Sequence, residues 1–322
     1  MTGFARVNNR FMWTADDIPD QRGRVVVVTG ANGGLGLEVA RELARKGATV
    51  LMAARTQATA KNALEDIEAE VPDAALQLYE LDLASLDSVR ACAAAIRADH
   101  RRIDILVNNA GVMGIPRQAT ADGLEMQLGV NHLGHFVLTR RLLPALVAGP
   151  DGRIVSVTSF GRFVGWSVRP HDPPMPRRYE PWTAYGRAKL ATLQFAMELQ
   201  QRLVAAGAGV RSVAAHPGLA HTDLQKRSVR ETGGAAFPRF WALAARRVGM
   251  DPDRAALVLL RAATDPGAQG GELYGPRWFS FGPPVRRPAL GRPGRAGEHL
   301  WVYSERVTGE RFDVAAIVSG TG

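Results

Sequence analysis

From Arg24 onward, short β-rich runs alternate with longer amphipathic stretches, and this alternation restricts the fold more than any other feature of the chain. The runs RVVVVT, ATVLMAA, LQLYELDL, IDILVNNAG, RIVSVTS and VRSVAAHPG are separated by five helical stretches. These are LEVARELARKG, a polar segment through Ala69, SLDSVRACAAAIRA, a long helix around Leu124 to Leu146, and AYGRAKLATLQFAMELQQRL. Strands joined by helical crossovers pair in parallel, because each crossover returns the chain to the same end of the sheet. The pattern predicts six parallel strands with helices on both faces, a single doubly wound α/β domain. A chain of 322 residues is long enough to bury one such core with extensions.

Two segments break the rhythm. Phe160 to Trp182 is rich in proline and arginine and too long for an ordinary connection, so it reads as an insertion beside the carboxyl ends of the strands. Gly275 to Gly297 has the composition of an extended surface segment. The expected division is an N-terminal extension over 1–23, a nucleotide-binding domain over 24–274 and an irregular C-terminal extension over 275–322.

Composition excludes several classes. Apolar residues make up 46% and charged residues 22%, ordinary for a globular chain. The formal charge is +9, yet only Lys46, Lys61, Lys189 and Lys226 of the 40 basic residues are lysine, and the arginines are scattered. That scatter reads as a solvated basic surface and not as a nucleic-acid interface. Cys92 is the one cysteine, so no internal disulfide or cysteine-based zinc site can form, and it is expected buried in a helix. His132 and His135 are three apart with no third ligand nearby, so no metal site is expected. No apolar run of about 18 residues and no secretory-type N-terminus occur, which makes a cytoplasmic protein without a membrane partner the expectation.

The first strand runs into Thr29-Gly30-Ala31-Asn32-Gly33-Gly34-Leu35-Gly36 and then a helix. Glycines there let the chain turn tightly and approach a pyrophosphate, which the free N–H groups of the helix start would hold. The spacing reads two ways, G-x-x-x-G-x-G through Gly30, Gly34 and Gly36 or G-x-x-G-x-x-G through Gly30, Gly33 and Gly36. Here the chain resembles the short-chain dehydrogenase/reductase superfamily, whose ordinary members carry the first form and whose extended members, including nucleotide-sugar epimerases, carry the second. The second strand ends Ala53-Ala54-Arg55, with no carboxylate to accept from a ribose 2′-hydroxyl and with a guanidinium suited to a 2′-phosphate. NADP(H) is therefore the expected cofactor.

The resemblance extends along the chain. Asp82-Leu83 looks like the family's adenine contact, and Asn108-Asn109-Ala110-Gly111 like its NNAG motif, which argues against the extended group. Tyr185 and Lys189, four apart on a helix, share one face. A tyrosine needs electrostatic help to act as a base near neutral pH, and Lys189 with an oxidised nicotinamide would favour the phenolate. Ser159, at the end of RIVSVTS, looks like the catalytic serine, with Ser156 and Thr158 as competitors. Asn131 matches the asparagine that holds a water next to the lysine. Pro217, Gly218 and Leu219 after His216 resemble the segment that meets the nicotinamide, with Thr222 on its carboxamide. The wording VNHLGHF, HPG and LWVYSERVTGE looks most like the retinol dehydrogenase-like branch.

The resemblance implies a Rossmann-type fold, a lid over about 222–250, a homo-oligomer, and interconversion of a carbonyl and an alcohol with Tyr185 as the acid/base. Phe237, Phe240 and Trp241 of the lid, with Trp166 or Trp182 of the insertion, would then line a pocket for a bulky apolar small molecule. A nucleotide-binding sensor without turnover and a nucleotide-sugar epimerase or dehydratase are the alternatives.

Overall fold

The computed structural model describes residues 12–220, 249–289 and 294–320. One eight-stranded sheet, ordered β3-β2-β1-β4-β5-β6-β7-β8, organises them. Strands β1 (Val25–Thr29), β2 (Thr49–Ala54), β3 (Ala75–Glu80), β4 (Ile105–Asn108), β5 (Arg153–Val157) and β6 (Arg211–Ala215) are the six expected ones, and all pair in parallel. In β1 the run of valines serves both faces: Val26 and Val28 join one core cluster, Val27 the other. Period-two alternation in a strand covered on both sides requires this continuous apolar run.

Helices α1 (Gly34–Arg45) and α2 (Gln57–Glu70) pack on the Val26/Val28 face, together with α7 (Pro252–Thr264). The opposite face carries α3 (Leu86–Asp99), α5 (Gly134–Val147) and α6 (Pro181–Ala205). The long helix expected around Leu124 to Leu146 is in fact three pieces: a single turn α4 (Met126–Leu128), a π-helical turn over Gly129–Leu133, and α5. Such π turns are frequent at functional sites, and this one holds Asn131.

The segment Gly275 to Gly297, expected as extended surface chain, instead completes the sheet. β7 (Leu273–Trp278) joins β6 in parallel, and β8 (Phe281–Arg287) returns antiparallel to it. Pro276, Pro283 and Pro284 hid these strands, since proline lacks a ladder donor; β8 tolerates Pro283 and Pro284 as the sheet's edge, and Pro276 lies past the residues of β7 that pair with β6, at an irregularity in the β7–β8 register. Helices α8 (Gly294–Thr308) and α9 (Val314–Val318) follow, and Trp301, Tyr303, Phe312 and Val314 enter the core beside α5 and α6. Phe136 meets Trp301 and Phe312 edge-on, both with centroids 5.3 Å apart.

Glu310 ties this tail down. It is 4% exposed and accepts from Arg90 Nε at 2.9 Å and Arg141 Nη2 at 2.6 Å, with Arg140 at 3.3 Å. Burial pulls its carboxyl pKa up, but hydrogen bonds from Arg141 and Arg90 outweigh that and hold it below the ordinary value. Replacing one side of this network leaves charged donors unpaired, so Glu310→Gln is expected to cost about 1.5–3 kcal/mol and lower Tm by about 2–4 °C at neutral pH. A carboxylate with a depressed folded pKa stabilises only above its unfolded value. The Tm gap between wild type and Glu310→Gln should therefore close as pH falls through and below the ordinary carboxylate range. A pH-independent gap in calorimetry would refute the ionic role.

Candidate active site

The glycine loop shows which spacing is required. Gly30 and Gly34 have φ of +68° and +53°, in the region that favours glycine. A Cβ at Gly36 would come within 2.2 Å of the Gly30 carbonyl oxygen, whereas one at Gly33 would meet nothing within 4 Å. The necessary set is Gly30, Gly34 and Gly36, the G-x-x-x-G-x-G form. No side chain caps the start of α1, so its first N–H groups remain available to an anion.

This loop opens into a cleft of about 640 Å³ whose lining includes Asn32, Leu35, Arg55, Asp82, Leu83 and Ala110. Arg55 lies just past β2 and is exposed. Asp82 accepts from the Ala84 N–H at 2.9 Å, so it shapes its own turn while facing the cleft. The NNAG segment is fastened to β1 through Thr29, whose hydroxyl accepts from the N–H groups of Asn109 at 2.9 Å and Ala110 at 3.0 Å. Asn109 Nδ2 adds a bond to the Thr29 carbonyl at 2.8 Å. The cradle, free helix start and polar rim fit a dinucleotide.

A narrower pocket of about 110 Å³ adjoins it, lined by Asn109, Gly111, Ser159, Tyr185, Lys189, Pro217, Gly218 and Leu219 among others. The sheet edge separates the three hydroxyl candidates. Ser156 is buried with its Oγ unpaired, Thr158 donates to the Lys189 carbonyl at 2.7 Å, and Ser159 lines the pocket with Tyr185. Tyr185 is pushed up to about 12 by burial, with the Ser159 hydroxyl acting in the opposite direction. Lys189 falls to about 8, also through burial, and its Nζ donates to the Val157 carbonyl at 2.8 Å. The protein alone thus keeps the phenol protonated.

Asn131 spends its carboxamide on one neighbour: Oδ1 accepts from Val112 N–H at 2.8 Å and Nδ2 donates to Val112 O at 2.9 Å. Its carbonyl takes the Thr192 hydroxyl at 3.2 Å and lies 3.3 Å from His135 Nδ1. The Asn131 carbonyl can only accept, so the His135 proton sits on Nδ1, and Nε2, 3.0 Å from the Thr29 hydroxyl, accepts from it beside the Val107 carbonyl at 3.3 Å. Nδ1–H then donates to Asn131 O. His135, which burial holds neutral with a pKa of about 3, is therefore a hydrogen-bonded link between the glycine-loop strand and the π turn. Sequence reading missed that link; only the three-residue spacing from His132 drew attention to it. His132 points elsewhere, to Ser304 Oγ at 2.8 Å.

The expected substrate residues part company. Trp182 packs edge-on against Tyr185, with centroids 6.1 Å apart. Trp166 lines a different cavity, which contains none of Ser159, Tyr185 or Lys189. Phe237, Phe240, Trp241 and Thr222 lie outside the described residues. Aromatics that the sequence reading did not single out stand next to Ser159: Phe160 stacks on Phe279 at 5.0 Å and lies 4.4 Å from His216. Phe163 and Phe279 are half exposed.

Comparison with known proteins decides the family. The short chain dehydrogenase family model matches residues 24–233. The chain belongs to that family. Retinol dehydrogenase 12 of Mus musculus is 43% identical over 206 residues, 64% of each chain, so the match spans under two thirds of that relative. Polyprenol dehydrogenase of Mus musculus is 38% identical over 296 residues, 91% of this chain and 86% of that one. These relatives put the chain on the retinol dehydrogenase-like branch. A crystal structure of an uncharacterized protein from Mycobacterium Paratuberculosis superimposes with a TM-score of 0.75 at 40% identity, over 94% of this chain and 99% of that one. An NAD(P) dependent dehydrogenase from Beutenbergia cavernae, solved with bound NADP, gives 0.59 at 27% identity over 80% and 96%.

Family membership makes the protein an oxidoreductase with a nicotinamide cofactor. It also agrees with the glycine spacing that Gly30, Gly34 and Gly36 impose. No helix among the described residues is long and apolar enough to cross a membrane.

Proposed function

We propose that the protein is an NADP(H)-dependent carbonyl reductase/alcohol dehydrogenase acting on a bulky apolar ketone, aldehyde or alcohol. The observation that carries this reading is the pocket in which Ser159, Tyr185 and Lys189 meet, open to the glycine-lined cleft. A bound nicotinamide dinucleotide supplies or accepts the hydride. Gly30, Gly34, Gly36 and the start of α1 hold its phosphates, Arg55 its 2′-phosphate, and Asp82 with Leu83 its adenine end. Pro217, Gly218 and Leu219 border the reacting end.

Tyr185 Oη gives its proton to the carbonyl oxygen during reduction and takes it back during oxidation. Ser159 Oγ donates to the same oxygen and steadies the developing negative charge. Lys189, buried and cationic, lowers the phenol's proton affinity from the same helix face. Asn131 acts through position: it clamps Val112, beside the Gly111 backbone where a Cβ would come within 2.6 Å of Oδ1.

Two features support an apolar substrate. The relatives' names point to retinol and polyprenol, and Phe160, Phe163 and Phe279 stand beside Ser159 and the His216 loop. Oxidation of NADPH should be tested against lipophilic aldehydes, ketones and quinones alongside short keto acids. The expected result is turnover of the large apolar compounds with little of the small acids. Preference for small charged compounds would overturn the substrate class, and a blank panel with cofactor bound would indicate the sensor alternative.

A further inference from the structure

A second cavity, of about 240 Å³, lies behind the catalytic helix. Its walls include Leu128 of α4, Trp166 and Pro174 of the insertion, Thr183 and Arg187 of α6, and Tyr303 of α8. Thr183 and Arg187 each lie two residues from Tyr185, about 200° around the helix. The cavity therefore occupies the face of α6 opposite the pocket, with the full helix between them.

The insertion and the C-terminal tail build it together. Arg187 pairs with Asp172 of the insertion, and Arg306 of α8 donates to the carbonyls of Pro170 at 2.9 Å and Asp172 at 2.7 Å. The Glu125 N–H donates to the Pro174 carbonyl at 2.9 Å. These bonds fasten the proline-rich stretch to α6, to α8 and to the residue before α4, and so fix the walls of the space.

The polar groups around it have been used unequally. Both carboxylates on the lining are already satisfied: Glu125 accepts from the N–H groups of Gln127 and Leu128 and from Tyr179 Oη, and Glu180 from those of Trp182 and Thr183. Donors remain. Arg187 leaves Nε buried without a partner, and Arg178, which is exposed, has no ion pair or hydrogen bond among the described residues. Tyr303 is 1% exposed, and no group among the described residues hydrogen-bonds its hydroxyl. An unpaired buried donor is costly, so the Tyr303 hydroxyl, with two guanidinium groups on the same lining and both carboxylates committed, is matched by an acceptor ligand. The other walls, Leu128, Trp166 and Pro174, are apolar.

We propose that this cavity binds a small apolar carboxylic acid, its carboxylate on the Tyr303 hydroxyl and the Arg187 and Arg178 guanidinium groups and its ring or alkyl body against Trp166, Pro174 and Leu128. The volume falls below the roughly 300–1,000 Å³ of drug-sized pockets, which limits the ligand to about one ring with a short chain. The site is separate from the reaction and does not rest on the reading of it.

The test titrates 4-phenylbutyrate into the intact protein saturated with NADP⁺, followed by calorimetry and by tryptophan fluorescence. Saturable one-to-one binding is expected, with 4-phenylbutanol at least about tenfold weaker because it lacks the charged acceptor. Tyr303→Phe removes a single oxygen and should weaken 4-phenylbutyrate about tenfold, since one charge-assisted hydrogen bond is lost. Thr183→Trp fills the cavity and should abolish binding. Thermal unfolding establishes that both variants fold, and if Thr183→Trp does not, Tyr303→Phe decides alone. No saturable binding, equal affinity for the alcohol, displacement by NADP⁺, or unchanged affinity in Tyr303→Phe would each overturn the proposal.

Discussion

Tyr185→Phe is expected to lower kcat by about two to four decades while leaving cofactor affinity within about twofold of wild type. The variant removes one oxygen from a ring that stays packed against Trp182, so the pocket keeps its shape. What disappears is the only tyrosine hydroxyl on the pocket that also holds Ser159 and Lys189. Loss of a positioned general acid typically costs 10²–10⁴ in rate. The direction of the Tyr185 shift matters here, because burial raises its pKa to about 12 and keeps the proton in place for delivery to a carbonyl. Reduction therefore has its acid ready near neutral pH, whereas oxidation needs the phenolate, which Lys189 and a cationic nicotinamide must favour together. Steady-state kinetics in both directions, with cofactor titration by fluorescence, checks this. Near-normal turnover in the variant would sink the proposed chemistry; lost cofactor binding would mean that Tyr185 holds the ligand and not the proton.

The strands, the glycine loop and the Tyr185/Lys189 face were legible in the sequence because each depends on local rules. Period-two valines make β1, and a four-residue spacing places two side chains together on one helix. Other features depended on contacts that no local pattern carries. Gly33 and Gly34 look alike in sequence; only φ at Gly34 and the approach of Gly36 to Gly30 separate the two spacings. β7 and β8 were hidden by prolines, which the edge strand β8 tolerates and of which the one in β7 falls beyond its pairing with β6. The tail's place in the core rests on Trp301 and Phe312 meeting Phe136 across more than 150 residues of chain. Trp166 looked like a pocket residue by composition, but the pairing of Arg187 with Asp172 fixes the insertion on the far side of α6.

The cofactor preference is expected to favour NADPH over NADH, and Arg55→Ala should weaken that preference about ten- to a hundredfold. Arg55 stands at the carboxyl end of β2, where a doubly wound fold meets the adenosine ribose, and it lines the cleft without an ion pair among the described residues. Asp82 is the one carboxylate on that lining, and it is committed to the Ala84 N–H. No acidic side chain stands at the end of β2 itself, where Ala53, Ala54 and Arg55 follow one another, to repel a 2′-phosphate. A charge-assisted hydrogen bond contributes roughly 1.5–3 kcal/mol, and the exposure of Arg55 places the effect toward the lower end through screening. The loss should appear as a raised KM for NADPH, with kcat and the KM for NADH nearly unchanged, because a 2′-phosphate is remote from the reacting carbon. The NADPH preference should also shrink as ionic strength rises in wild type and respond less to salt in the variant. Wild-type protein that uses NADH at least as well as NADPH would remove the basis of the assignment. Equal losses with both cofactors in Arg55→Ala would make the residue a general support of the cleft instead of a reader of the phosphate.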